Sequence, residues 1–214
     1  MKKGRWFRWI LLIPLLLVVA CSFYYVLTVV TNRIRSQVAA KAEATLAATY
    51  GAEIQATIAN YEAKWMSLEA YYDPSVQAAL AKGPYLEYWK LARLGPQLNE
   101  GGPWLVTKSA VVNYIRVLEY TPEQFKALAS VIRQIDEYTP KGEFTRSYQP
   151  REVCRLYLFV REDSVWKVAD LFDMTRQSDI ARDWENFVAW EKDTFGQQIM
   201  GDLPLTDCSG YTIP

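Results

Sequence analysis

The chain has 214 residues, room for one soluble domain and an anchor, and it carries 24 basic and 24 acidic residues. This balance leaves no basic excess to attract nucleic acid, so we expect no nucleic-acid partner. The chain has no histidine, and its three cysteines lie far apart, which argues against a metal site, a cofactor and a dithiol redox centre.

The first predicted element is a long apolar segment over residues 10–30, in which none of the 21 residues is charged. A helix of that length measures roughly 31 Å, which matches the hydrocarbon core of a bilayer, about 30 Å thick. Basic residues precede it at Lys2, Lys3, Arg5 and Arg8, and they slightly favour a cytoplasmic N-terminus. We therefore predict a short cytoplasmic segment over 1–9 and a single-pass transmembrane helix over 10–30.

The motif VVAC, which ends at Cys21, offers a second interpretation of the same segment. A basic start, an apolar run and a small residue before cysteine are features of a bacterial lipoprotein signal, in which Cys21 becomes the lipidated first residue. The run continues as SFYYVLTVV beyond that cysteine, and this continuation favours a retained span. Removal of the segment as an ordinary signal peptide is a third alternative. The first two alternatives both fasten a domain to the outer face of a membrane.

A helical pattern follows the apolar segment and continues to about Tyr72. Large apolar residues recur every three or four positions on one face, at Leu46, Tyr50, Ile54, Ile58, Tyr61, Trp65, Leu68 and Tyr72. Such a stripe either packs on its own domain or forms a coiled-coil seam, and the bulky aromatic residues favour packing against a sheet. The sequence thus predicts a stalk over 31–45 that leads into a domain over 46–173.

Short helices and a long strand are predicted next. Asp73-Pro74 is a typical helix start before SVQAALA, Gly83 ends that helix, and Pro84 begins PYLEYWKLARL. The β-branched and aromatic run LVTKSAVVNYIRVLEY then predicts a strand. Residues 125–138 are ambiguous, because Thr121 and Gln124 fit a helix capping box while the composition also suits a returning strand.

The last part of the domain is predicted as a loop and a hairpin. TPKGEFTRSYQP is the loop, REVCRLYLFVRED is a strand, and EDS is a tight turn before the partner strand VWKVADLFDM. A final helix begins after Ser178 and is followed by a tail, and together they occupy 174–214. We expect its charged residues, Glu185, Glu191 and Lys192 among them, to lie on a solvated surface.

Helices followed by long antiparallel strands and the hairpin LYLFVREDSVWKVADL resemble the nuclear transport factor 2-like superfamily. The segment AALAKGPYLEYW also looks like the second helical segment of such domains. The resemblance implies an α+β fold in which helices pack on a curved antiparallel sheet, followed here by a C-terminal helix. It also implies that residues 125–138 are a strand, and we adopt that interpretation.

Some enzymes with this cone-shaped fold are ketosteroid-isomerase-like and use an aspartate base and tyrosines in an apolar pocket. The matching candidates for a pocket are Asp170, Tyr85, Tyr88 and Tyr114. We nevertheless expect no catalytic activity, because strand-end carboxylates are commonly solvated and core tyrosines usually serve packing. One scaffold also hosts many functions.

Two further sets of residues are candidates for structural and binding roles. Cys154 and Cys208 are expected to form a disulfide if the domain lies outside the membrane, although two separate buried thiols remain the alternative. Trp184, Trp190 and Phe195 are more aromatic residues than one helix face needs, and they are candidates for docking a partner.

These observations together predict a membrane-anchored, extracytoplasmic binding or scaffold module. We expect it to be an accessory or assembly subunit of a bacterial membrane protein complex, at the cell membrane. Two rivals remain: the span itself forms the main interface with another subunit, or the outer domain holds a small molecule or lipid.

Overall fold

The computed structural model describes residues 4–87, 102–173 and 180–196, without the side chains of 4–18, 180–184 and 195. The chain divides into two compact units, Met1–Ala44 and Thr45–Pro214.

Helix α1 spans Gly4–Trp65. In the first unit its large apolar side chains from Val19 to Val38 are exposed. No helix of the described residues is both long and apolar enough to cross a membrane. The side chains of residues 10–18, the first part of the predicted span, lie outside the described residues.

In the second unit α1 ends earlier than the apolar stripe predicts. Helix α1 stops at Trp65, and a separate helix α2, Leu68–Tyr72, begins after a break. The break arises because the Ser67 hydroxyl accepts a hydrogen bond of 3.1 Å from the Ala70 amide and so caps a new helix. Helix α3, Ser75–Leu80, follows with the predicted start, since Asp73 Oδ1 accepts a 2.9 Å bond from the Ser75 amide.

Over the described residues, the sheet has five antiparallel strands. They are β1 Trp104–Tyr120, β2 Gln124–Tyr138, β3 Phe144–Ser147, β4 Arg151–Glu162 and β5 Val165–Asp173. The order is β1-β2-β4-β5, and β3 pairs with the end of β2. Three register shifts between β1 and β2 mark irregularities that bend the strands. Strand β2 confirms the strand interpretation of 125–138, whereas β3 lies in a segment that we predicted as a loop.

The two faces of the sheet are covered by different helices, and we name them accordingly. The α1 face carries the larger core, in which Ile54, Ile58, Tyr61 and Trp65 of α1 pack against β2 and β4. Helix α4, Ile180–Phe195, covers the opposite face, which we call the α4 face. This face carries a smaller cluster of Leu128, Leu156, Leu158 and Phe172, and the Phe187 ring of α4 lies 5.0 Å from that of Phe172. The predicted α+β architecture, with a long N-terminal helix and a C-terminal helix, is confirmed.

Candidate functional site

A buried cluster of charged residues lies on the α1 face around Glu62, which is 2% exposed. Its Oε1 accepts hydrogen bonds from Arg155 Nη1 at 2.7 Å and from the Tyr157 hydroxyl at 2.6 Å. Its Oε2 lies 3.2 Å from Arg133 Nε. The carboxylate thus joins α1 to β2 and β4 through two cations, and we call these four residues the Glu62 cluster.

The cluster extends to the neighbouring strands through its two arginines. Arg133 Nη2 donates to Thr107 Oγ1 of β1 at 3.1 Å. Arg155 Nη2 lies 3.3 Å from Asp173 Oδ2 of β5, and that carboxylate is partly exposed. The four long strands and α1 therefore meet in one polar network inside an otherwise apolar layer.

Tyrosines surround this network and stay neutral. The hydroxyls of Tyr61 and Tyr85 are 2.6 Å apart, which connects α1 to the helical residues 83–87. Burial raises the pKa of Tyr61 and of Tyr85, and burial beside Glu62 raises the pKa of Tyr157. Burial and the like charge of Arg155 lower the pKa of Arg133. The tyrosines act as hydrogen-bonding groups over the ordinary pH range.

A second pair of buried acids lies on the α4 face. Asp170 of β5 and Glu191 of α4 are both 0% exposed. Asp170 Oδ1 accepts a 2.9 Å hydrogen bond from the Leu171 amide, and Glu191 lies within hydrogen-bonding reach of the Asp170 side chain. Burial and this neighbouring carboxyl raise the pKa of Asp170 to about 8. The expectation that Glu191 lies on a solvated surface is wrong, because α4 turns this residue toward β5.

Two of the predicted pocket residues, Tyr85 and Tyr114, pack against different core clusters. Tyr85 belongs to the core of the α1 face, whereas Tyr114 packs beside the cluster on the α4 face. Asp170 is buried with Glu191, and Tyr88 lies outside the described residues. The structure therefore does not bring Tyr85 and Tyr114 to one face, and it leaves Asp170 covered.

The other predicted site residues are only partly described. Trp190 is half-buried, with its ring 5.5 Å from that of Phe187, so it takes part in packing on α4. The side chains of Trp184 and Phe195 lie outside the described residues. Cys21 is a free, exposed thiol, and Cys154 is disulfide-bonded. Its predicted partner Cys208 lies outside the described part of the chain, so the pairing stays a prediction.

Sequence reasoning did not single out Glu62, Arg133 or Arg155. One signal was available for Glu62, because it directly follows Tyr61 in the apolar stripe of α1 and so lies at the edge of the buried face. The two arginines carry no comparable signal, since each sits in a strand whose alternation alone does not distinguish a buried cation from an exposed one.

Comparison with known proteins identifies no family. No family model matches the chain, and no curated protein matches it significantly. Among solved structures, the intermembrane space region of the chloroplast protein ARC6 matches with a TM-score of 0.45 and 12% identity. That match covers 58% of this chain and 95% of the other. A likeness at this level assigns neither a family nor a function.

Proposed function

We propose that the chain is a membrane-anchored extracytoplasmic binding module, an accessory or assembly subunit of a membrane protein complex. The observation that carries the proposal is the exposed apolar surface of α1 in the first unit. Large side chains there are exposed on every side, namely Val19, Phe23, Tyr24, Tyr25, Val26, Leu27, Val29 and Val30. A helix that is apolar all round is stable in lipid or within a bundle rather than in water.

Cysteine chemistry supports an extracytoplasmic position for the second unit. Cys154 is disulfide-bonded, and disulfides persist mainly in oxidising compartments outside the cytosol. A span over residues 10–30 with a cytoplasmic N-terminus would deliver the second unit to that side.

An uncovered apolar pair on the sheet supports a docking role. Val111 of β1 and Ile132 of β2 are partners across the two strands on the α4 face, and they are 60% and 38% exposed. Since anchoring raises the local concentration of a partner in the same membrane, a contact of modest area is enough for association.

We also propose that residues 46–173 form a nuclear transport factor 2-like domain. The support is the arrangement of helices on one face of a curved antiparallel sheet, with the hairpin of β4 and β5 as its last part. This proposal concerns the fold alone, because such domains serve many functions.

Membrane fractionation of full-length variants tests the anchor. Val19→Lys places a charge near the middle of the proposed span, where it costs about 2.5–3.5 kcal/mol of insertion free energy. Val38→Lys is the matched control, since Val38 is equally exposed, 64% against 59%, and lies beyond the span. We expect Val19→Lys to reduce the carbonate-resistant membrane fraction and Val38→Lys to leave it unchanged. Equal carbonate-resistant membrane fractions for the two variants would contradict the proposed anchor.

Site-specific photocrosslinking in cells tests the docking role. A photoreactive residue at Val111 should give a discrete crosslinked species, and a photoreactive residue at Asp163, in the turn of the β4–β5 hairpin, should give none. Crosslinks at both positions, or at neither, would contradict docking through this part of the sheet.

A further inference from the structure

Two acidic side chains meet at the seam between helix α4 and the sheet, and neither has access to water. Asp170 comes from the middle of β5, and Glu191 comes from the last turns of α4. Phe187, one turn before Glu191, packs against Phe172 on the same face. The pair therefore sits inside the contact that holds α4 on the sheet.

The hydrogen bonding of the pair requires a proton. Asp170 Oδ1 is satisfied by the Leu171 amide, whereas Oδ2 is buried and has no hydrogen-bond donor among the described residues. Two ionised carboxylates in contact repel each other and lose their hydration, which is costly in a buried site. One shared proton removes a charge and turns the repulsion into a hydrogen bond.

Among the described residues, no cation acts on Asp170 in place of this proton. The groups that act on Asp170 are Glu191 and the Leu171 amide, and Asp170 in turn acts on the neutral Tyr85. Further along β5, Asp173 is already engaged by Arg155. On α4 the flanking residues Lys192 and Asp193 are exposed.

We propose that Asp170 and Glu191 share one proton, and that this proton controls whether α4 stays on the sheet. When the proton leaves, the two carboxylates separate, α4 is released, and the apolar cluster Leu128, Leu156, Leu158 and Phe172 is uncovered. Loss of the proton would thus expose the α4 face of the sheet, and its return would cover that face again. It does not depend on the membrane anchor proposed above.

The sign of the effect follows from proton linkage. A released Asp170 ionises near its ordinary pKa of 3.8, whereas the docked group has a pKa of about 8. Docking therefore takes up about one proton between these two values. Docking is strongest below about pH 4 and weakens as pH rises toward about 8, by up to about tenfold in its equilibrium constant per pH unit. Above about pH 8 no further weakening is expected.

Hydrogen exchange on the full chain in detergent tests the proposal. Protection factors of α4 amides, corrected for the intrinsic pH dependence of exchange, should fall by up to about tenfold per pH unit between about pH 5 and 8. Amides of α1 over residues 31–44, which belong to the other compact unit, serve as the internal reference and should show no such slope. If the corrected protection factors of α4 in the wild-type chain do not change with pH, the proposal is overturned.

Isosteric variants identify the groups responsible. In the double variant Asp170→Asn with Glu191→Gln, the amides keep the shape and hydrogen bonds without titrating, so the α4 slope should vanish. Asp173→Asn removes an exposed carboxylate of the same strand, and this variant should retain the pH dependence of α4 protection. A slope that persists in the double variant would overturn the assignment.

An infrared measurement covers the case in which the double variant does not fold. The wild-type chain near neutral pH should show the carbonyl band of one buried protonated carboxylic acid, and that band should disappear above about pH 9. Its absence near neutral pH would overturn the shared proton.

Discussion

The hydroxyl of Tyr157 on β4 donates a hydrogen bond of 2.6 Å to Oε1 of Glu62 on α1, an oxygen that also accepts from Arg155. Helix and sheet are thus joined by an ion cluster as well as by apolar packing. A buried ion cluster adds little net stability while it is complete, but its members become costly once one partner is lost.

Glu62→Gln is expected to destabilise the second unit by about 3–5 kcal/mol, because it leaves two buried guanidinium groups without their shared anion. Tyr157→Phe removes one hydrogen bond to a charged group and should cost less, about 1.5–3 kcal/mol. Urea unfolding of the full chain in detergent, followed by tryptophan fluorescence, measures both values.

Glu53→Gln is the matched control for this series. Glu53 lies on the same helix and its Oε1 is 3.0 Å from Arg161 Nη2, but its side chain is 41% exposed. We expect a loss below about 1 kcal/mol, as for other exposed ion pairs. A loss at Glu62 no larger than that at Glu53 would show that the cluster does not connect helix and sheet.

A disulfide between Cys154 and Cys208 is expected to join the tail to β4. On the chain-entropy model a loop of about 54 residues gives a stabilisation of about 4 kcal/mol, which Cys154→Ser should remove. Peptide mapping without reduction should recover the crosslinked peptide and an alkylated Cys21. A linkage that involves Cys21, or a fully reduced chain from an oxidising compartment, would refute the pairing.

The turn of the β4–β5 hairpin carries backbone strain that a single substitution should relieve. Asp163 and Ser164 have φ of 50° and 64°, in the left-handed region that two-residue hairpin turns of this hand require. Ser164→Gly should stabilise the second unit by about 0.5–1 kcal/mol, the left-handed penalty less the added entropy of the unfolded chain. Ser164→Val should destabilise it by about 1–3 kcal/mol. In thermal unfolding, the Tm of Ser164→Gly should exceed that of the wild-type chain, which should exceed that of Ser164→Val. Any other order of the three Tm values would contradict this account.

Some of this architecture could be predicted from local patterns. The stripe through Ile54, Ile58, Tyr61 and Trp65 has helical period and is buried as expected, and the alternation around Asp163-Ser164 predicts the hairpin. Residues 127–131 of strand β2 are buried on both faces, so its apolar residues form a nearly continuous run that periodicity alone does not distinguish from a helix.

Other features depend on tertiary context that a local pattern does not contain. Strand β3 is exposed at all its residues, so no apolar alternation marks it. The break after Trp65 depends on one serine cap. Burial of Glu62 and Glu191 depends on which groups of distant strands face them, and acidic residues at the edge of a helical stripe are ordinarily assigned to its solvated side.

The most direct test of the membrane-anchor proposal is mass-spectrometric mapping of the chain extracted from membranes with detergent. We predict peptides from within residues 1–20 and an unacylated Cys21, as a retained span over 10–30 requires. A membrane-bound chain that begins at an acylated Cys21 would contradict the span, and a soluble chain that begins beyond Val30 would contradict the anchor altogether.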